Sequence, residues 1–264
     1  MSTDTKKLIA ADKQYVWHPF TQMQNWLASQ PVVIDRADGF YLIDTDGRRY
    51  IDGVSSLWCN VHGHRVKKID DAIRAQLDKV SHSTLLGLGQ TRSIELAEKL
   101  IAIAPSNLKK VFYSDSGATA VEIAIKIAYQ YFQNKSSGGM ACRGGSRTAL
   151  LSDRGHGKTK FIALENSYHG DTVGSVSVGG ISLFHSIFKP LLFETYFVPM
   201  PHSYRFKGST DDCAKYSLDK IEDLLKTKGD EIAAVIIEPL VQGAAGMIVH
   251  PKGFLKGVRE LTKK

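Results

Sequence analysis

Cysteine is scarce in this 264-residue chain and badly placed for any covalent or metal framework. Cys59, Cys142 and Cys213 are odd in number, far apart and without Cys-x-x-Cys spacing, which argues against a disulfide scaffold and against a thiolate zinc site. They read as free thiols of a reducing compartment. Long apolar runs are missing too. No stretch approaches the roughly eighteen apolar residues of a membrane span, and Met1-Ser2-Thr3-Asp4-Thr5-Lys6-Lys7 lacks the apolar core of a signal peptide. The expectation is a cytoplasmic protein with no membrane partner. Basic charge is in excess, with 34 Lys and Arg against 27 Asp and Glu for a net +7, yet it is not gathered on one helix or face. Much of it falls on Lys135, Arg143, Arg147, Arg154, Lys158 and Lys160 and on the terminal Lys263 and Lys264, so a solvated surface is expected and a nucleic-acid partner is not.

What is present is ordinary globular composition, 43% hydrophobic and 23% charged, in a chain long enough to bury a substantial core. Alternating residues on either side of Asp46-Gly47, from Phe40 to Asp52, predict a hairpin. Ile69, Ile73, Leu77 and Val80 predict a helix over 69–80. Leu96, Leu100, Ile103 and Ala104 predict another over 93–104, stopped by Pro105. Short apolar runs at 111–113, 161–164, 195–198 and 233–237 then alternate with longer segments, which predicts a mostly parallel sheet covered by helices. The glycine-rich, basic stretch 134–160 has no apolar period and is expected to be an exposed insertion. Its Gly157-Lys158-Thr159 imitates a phosphate-binding P-loop, but that motif needs glycine at 152, where Ser152 stands, and Thr159 leads into a strand.

The stretch Val111 to Glu122 carries the clearest chemical signal. An apolar run breaks at Ser116-Gly117 and restarts at helical spacing through Val121, Ile125, Ala128 and Phe132. Free backbone N–H groups and the positive end of a helix dipole meet at such a turn, so an anion such as phosphate can sit there. Taken alone the turn is also what any helix cap looks like. A second segment, Asn166-Ser167-Tyr168-His169-Gly170-Asp171-Thr172, follows the strand at 161–164, where α/β sheets present ligands. Tyr168 suits the cover of a flat heterocycle. His169 reads as a loop histidine bonded to a backbone group, and His62 and His64, without further ligands near them, as structural.

These segments, with Val16-Trp17-His18-Pro19-Phe20-Thr21-Gln22-Met23, Ser55-Ser56-Leu57-Trp58, Val61-His62-Gly63-His64, His82 to Gly87 and Ile237-Glu238-Pro239-Leu240-Val241-Gln242-Gly243, resemble the class III family of pyridoxal-phosphate aminotransferases. Within it the likeness is strongest to the branch that makes 7,8-diaminononanoate from 8-amino-7-oxononanoate in biotin synthesis. The Tyr-His-Gly-Asp-Thr run is shared by much of the class, whereas Trp-His-Pro-Phe-Thr-Gln-Met is far narrower.

The resemblance implies an α/β chain of the fold-type-I transferases, with residues 1–85 an N-terminal segment and part of a small domain, and 86–264 the beginning of the cofactor-binding large domain. It implies pyridoxal 5′-phosphate as cofactor, with Ser116, Gly117 and Ala118 at its phosphate, Tyr168 on its ring and Asp171 supporting that loop. Phe20, Trp58 and Tyr168 would line the pocket for the keto-amino acid. Many relatives have Tyr where Phe20 stands and Trp where Leu57 stands; these departures resemble a branch in which lysine replaces S-adenosylmethionine as amino donor. The family's homodimeric assembly is implied as well.

No lysine here matches the one that binds the cofactor covalently, so the resemblance places that residue beyond Lys264. The expectation is therefore an N-terminal fragment without turnover of its own. The rival readings are another class III enzyme acting on ω-amines such as 4-aminobutyrate or ornithine, and a non-catalytic scaffold or partner subunit.

Overall fold

Asp46 and Gly47 turn the chain as their residue types require, with Gly47 at φ 82°. In a computed structural model, which describes residues 1–136 and 157–263, they join strands β2 (Tyr41–Asp44) and β3 (Arg49–Ile51). Strand β1 (Ile34–Asp38) pairs antiparallel with β2, giving the order β1-β2-β3. Asp44, 2% exposed, accepts hydrogen bonds from the Asp46 and Arg48 N–H groups, the Arg48 guanidinium and the Tyr50 hydroxyl at 2.7–3.0 Å. Burial pushes its pKa up, but these donors outweigh burial and hold it at about 2.

A helix the apolar pattern did not suggest, Thr3–Tyr15, leans on this turn. Ser2 caps it by accepting from Thr5 N–H at 3.1 Å, while the Ser2 N–H and Thr5 hydroxyl both donate to Asp46 Oδ1 at 2.8 Å. The helices expected at 69–80 and 93–104 are Lys67–Leu77 and Thr91–Ile103. Their stripes stay open, with Ile73 56% and Ile103 83% exposed. The described residues group into two compact units, Met1–Lys109 and Lys110–Lys264.

In the second unit strand β4 (Lys160–Leu164) lies between β5 (Tyr196–Val198) and β6 (Ile232–Val235), parallel to both. The two-residue period of the strand sorts its side chains. Ile162 and Leu164 pack with Val198, Ile221, Phe254 and Val258 against helices Thr210–Lys228 and Phe254–Leu261. Phe161 and Ala163 pack on the other face with Val178, Val121 and Ile125, the latter two from helix Gly117–Ser136. Helices thus cover both faces, which is why these strands are apolar apart from Lys160 at the start of β4. A short antiparallel pair, β7 (Val241–Gln242) and β8 (Ile248–Val249), follows.

The run at 111–113 is not a strand. It joins no ladder among the described residues, and Phe112 is 71% exposed. An apolar run becomes a strand only when a neighbour satisfies its backbone groups, and that partner is non-local. Most of the expected insertion 134–160 lies outside the described residues, as do Cys142 and Ser152; Thr159 leads into β4, its N–H bonded to the Glu231 carbonyl at 2.9 Å. Among the described residues no helix is long and apolar enough to cross a membrane.

Phe254 is fully buried at the centre of the larger core. Phe254→Ala should lower unfolding free energy by about 3–5 kcal/mol, read as an earlier urea midpoint by circular dichroism.

Candidate functional site

The helix that begins at Gly117 is capped from its own first turn. Ser116 N–H donates to Thr119 Oγ1 at 2.9 Å and Thr119 N–H donates to Ser116 Oγ at 3.3 Å, a reciprocal cap of the kind the Ser-x-x-Thr spacing allows. Ser114 Oγ adds a bond to the same threonine at 2.5 Å. The cap therefore occupies the Ser116 hydroxyl. The N–H groups of Gly117 and Ala118, in the first turn, have no intrahelical carbonyl to reach and point out of the helix start.

The segment after β4 is brought against this helix start. Asn166 at φ 59° and the fully buried Ser167, whose hydroxyl donates to the Leu164 carbonyl at 2.7 Å, turn the chain at the carboxyl end of the strand. Gly170 then approaches Ala118 so closely, at φ 119°, that a β-carbon on it would stand 2.5 Å from that of Ala118. Two bonds fix the contact: Ser175 Oγ donates to the Ala118 carbonyl at 3.1 Å, and Gly174 N–H donates to Glu122 Oε1 at 2.7 Å. Neither Glu122 nor Thr119 stood out in the sequence, since each acts on a backbone group that only the fold brings near.

Tyr168 is held at both ends. Its N–H donates to Glu238 Oε1 at 3.0 Å and its hydroxyl to Asp171 Oδ2 at 2.5 Å. Burial, with the Asp171 carboxylate beside it, pushes the phenol up to about 12, so it stays protonated and remains a donor. The other oxygen of Glu238 accepts from Gly243 N–H at 2.9 Å, and the fully buried Gln242 donates to the Glu165 carbonyl at 2.9 Å. The Glu-Pro-Leu-Val-Gln-Gly run thus braces the Tyr168 loop, a function not legible in the motif itself. His169 departs from expectation: no backbone partner holds its Nε2, which is buried without a hydrogen bond among the described residues, and burial lowers its pKa to about 4.

The structure places Ser116, Gly117, Ala118, Tyr168 and Asp171 in the second unit, where Gly170 meets Ala118; Ala118 and Tyr168 are half-buried and Ser116, Gly117 and Asp171 exposed. Phe20 and Trp58 belong to the first unit, where they are 78% and 54% exposed. Both occupy the left-handed backbone region, at φ 49° and 71°, a rare place for bulky side chains. His64 Nε2 donates to the Asp52 carboxylate at 2.9 Å, in keeping with a structural histidine.

The class-III aminotransferase family model matches residues 23–264. The chain belongs to that family. The adenosylmethionine-8-amino-7-oxononanoate aminotransferase of Nitratidesulfovibrio vulgaris is 55% identical over 262 residues, 98% of this chain and 45% of its own length. The crystal structure of the enzyme of that name from Methanocaldococcus jannaschii shares 45% identity and a TM-score of 0.83, covering 98% of this chain and 53% of that one. The omega transaminase of Pseudomonas jessenii in complex with PMP shares 30% identity and a TM-score of 0.82, covering 97% and 53%. The fold is that of the fold-type-I pyridoxal-phosphate-dependent transferases, and the chain spans about half the length of these relatives.

The buried histidine makes stability depend on pH. An unfolded histidine takes up a proton near 6.5 and folded His169 only near 4, so the stabilisation is complete above 6.5 and is lost as pH falls towards 4. Melting temperature should drop across that window. In His169→Gln the drop should shrink to what other groups such as the buried His250 contribute; parallel curves for both proteins would remove His169 as its source.

Proposed function

We propose that the whole protein to which this chain belongs is a pyridoxal-phosphate-dependent aminotransferase that converts 8-amino-7-oxononanoate to 7,8-diaminononanoate in biotin synthesis. The observation that carries the reading is the closure of Gly170 onto Ala118, which brings the loop of a tyrosine anchored at both ends to a helix start whose first N–H groups have no intrahelical acceptor. That cluster fits an aromatic phosphate. Gly117 and Ala118 would donate to the phosphate, the helix dipole adding to the attraction, with Ser116 shaping the turn through its cap. Tyr168 would lie on the ring, held in position by Asp171 at its hydroxyl and by Glu238 at its backbone N–H. Once bound, pyridoxal phosphate supplies an electron-withdrawing ring and a carbonyl that carries the amino nitrogen from donor to acceptor. Phe20 and Trp58 would meet the alkyl chain of the keto-amino acid. S-Adenosylmethionine or lysine is the amino donor; Phe20 and Leu57, where many relatives carry Tyr and Trp, resemble the branch that uses lysine. The substrates are small molecules, and a cytoplasmic homodimer is the assembly we infer.

The omega transaminase neighbour superposes as well as the biotin-synthesis enzyme, at TM-scores of 0.82 and 0.83, so overall shape does not separate the two substrate classes. Sequence identity, 30% against 45%, favours the second. Whole protein given S-adenosylmethionine or lysine as amino donor should aminate 8-amino-7-oxononanoate, seen as 7,8-diaminononanoate by mass spectrometry; turnover confined to a parallel assay with 4-aminobutyrate as donor and a 2-oxo acid as acceptor would replace this substrate assignment.

The phosphate contact has its own test. Proline is tolerated in the first position of a helix, and space for a β-carbon at Gly117 is open, so Gly117→Pro removes one N–H while keeping the helix. Pyridoxal-phosphate affinity, measured by equilibrium titration of its absorbance, should fall roughly tenfold or more with the circular dichroism unchanged, as for one lost hydrogen bond to a charged group.

A further inference from the structure

Ser55, Ser56, Leu57 and Trp58 lie at φ 51°, 48°, 61° and 71°, one complete left-handed turn without a glycine. Ser56 and Leu57 have ψ 52° and 56°, close to the left-handed helix itself. Each residue in that conformation is disfavoured by roughly five- to thirty-fold against the right-handed one, so the turn persists only where its surroundings determine it.

Backbone bonds close the turn, from Trp58 N–H to the Val54 carbonyl at 2.8 Å and from Cys59 and Asn60 N–H to the Ser55 carbonyl, and one pair of buried side chains holds it from beneath. Asp52 accepts from Ser56 N–H and Ser56 Oγ, both at 2.8 Å, and from Ser55 N–H through its own carbonyl at 3.2 Å. His64 Nε2 meets Asp52 Oδ2 at 2.9 Å, with side chains 4% and 13% exposed for Asp52 and His64. His64 is in turn strapped to the turn between β1 and β2, its N–H donating to the Gly39 carbonyl at 2.6 Å and its carbonyl accepting from Gly39 N–H at 3.2 Å. Nothing apolar is gained by this arrangement inside the unit. Leu57 is 68% and Trp58 54% exposed, flanked by Val54 at 62% and Val61 at 73%.

We propose that Asp52 and His64 are positioning residues for substrate recognition: they hold the Ser55–Trp58 turn left-handed so that Leu57 and Trp58 stand preformed as an apolar wall for the alkyl chain of the keto-amino acid. The proposal rests on the assignment of Trp58 to that substrate. Without the clamp the turn relaxes to right-handed or extended backbone, and the side chains leave their places while the hairpin below them remains.

The test uses 5-fluorotryptophan and ¹⁹F NMR, with Trp58→Phe to assign the Trp58 signal among the three tryptophans. Asp52→Asn and His64→Ala should shift and broaden that signal and leave those of Trp17 and Trp26 in place, whereas His64→Gln, which keeps a donor, should restore it. Adding Ser55→Gly to Asp52→Asn should also bring the signal back towards its original position, because glycine adopts positive φ freely. An unmoved Trp58 signal in Asp52→Asn, or no rescue by Ser55→Gly, would overturn the clamp. In whole protein, Asp52→Asn should raise KM for 8-amino-7-oxononanoate about tenfold with kcat changed less than twofold, and Ser55→Gly should reverse the rise. A kcat loss at unchanged KM would overturn the recognition role. Absence of turnover in unmutated protein would instead count against the function proposed above, leaving the NMR result to decide the clamp.

Discussion

The backbone at Gly170 and the first turn of the Gly117–Ser136 helix approach until a β-carbon at residue 170 would stand 2.5 Å from that of Ala118. Any side chain larger than hydrogen would push the Tyr168 loop off the helix start, and with it the bonds from Gly174 to Glu122 and from Ser175 to Ala118. The cluster is therefore assembled by the absence of an atom. Polar groups then lock what that absence permits: Glu238 draws together the N–H groups of Tyr168 and Gly243, from segments about 70 residues apart in sequence. An anion site at a helix start needs only a helix; an anion site beside an oriented aromatic ring needs this contact as well.

The two units are stabilised by different means. Around β4 the second unit has a layered apolar core, with Ile162, Leu164, Ile221 and Phe254 almost fully removed from water. In the first unit only Thr5, Ile9, Pro31 and Asp44 are buried, half of them polar, and carboxylates organise the chain. Asp44 gathers the hairpin turn, Asp46 the helix cap, and Asp12 receives the Trp26 indole at 2.8 Å and His18 at 2.9 Å. Buried carboxylates that accept several hydrogen bonds fix geometry more than they add stability. The exposed apolar stripes of Lys67–Leu77 and Thr91–Ile103 show the same imbalance from the other side: the pattern that makes these helices amphipathic is present, but the surface they would cover is not within the unit.

The features legible in the sequence were those set by neighbours along the chain. Asp46-Gly47 announced its hairpin because the turn demands positive φ, and the apolar runs of β4, β5 and β6 announced a covered parallel sheet because both faces are buried. Ser116 to Ala118 and Tyr168 to Asp171 were legible through the helix-start pattern, the strand end and the family resemblance. Where pairing is non-local the reading failed: Val111 to Tyr113 has strand composition but joins no ladder among the described residues. Helix Thr3–Tyr15 was missed because it rests on a cap and on hydroxyl bonds to Asp46, not on an apolar stripe. Glu238 was visible as part of a motif, but its two acceptor roles depend on segments that only folding brings together.

Backbone strain marks the places where local rules and the folded structure disagree. Phe20, the Ser55–Trp58 turn and Asn166, which leads into Tyr168, take positive φ without glycine's freedom in or next to segments we propose for substrate or cofactor, while Arg65 and Met247 do so outside them. Gly39, Gly47 and Gly63 take positive φ in turns that shape the hairpin region, where glycine bears the conformation at little cost. A glycine at residue 57 or 58 would relax the Ser55–Trp58 turn but would remove the side chain that the turn presents. Strain is retained there because the same residue must supply both the bend and the surface, and that double demand explains why the left-handed turn needs a buried carboxylate beneath it.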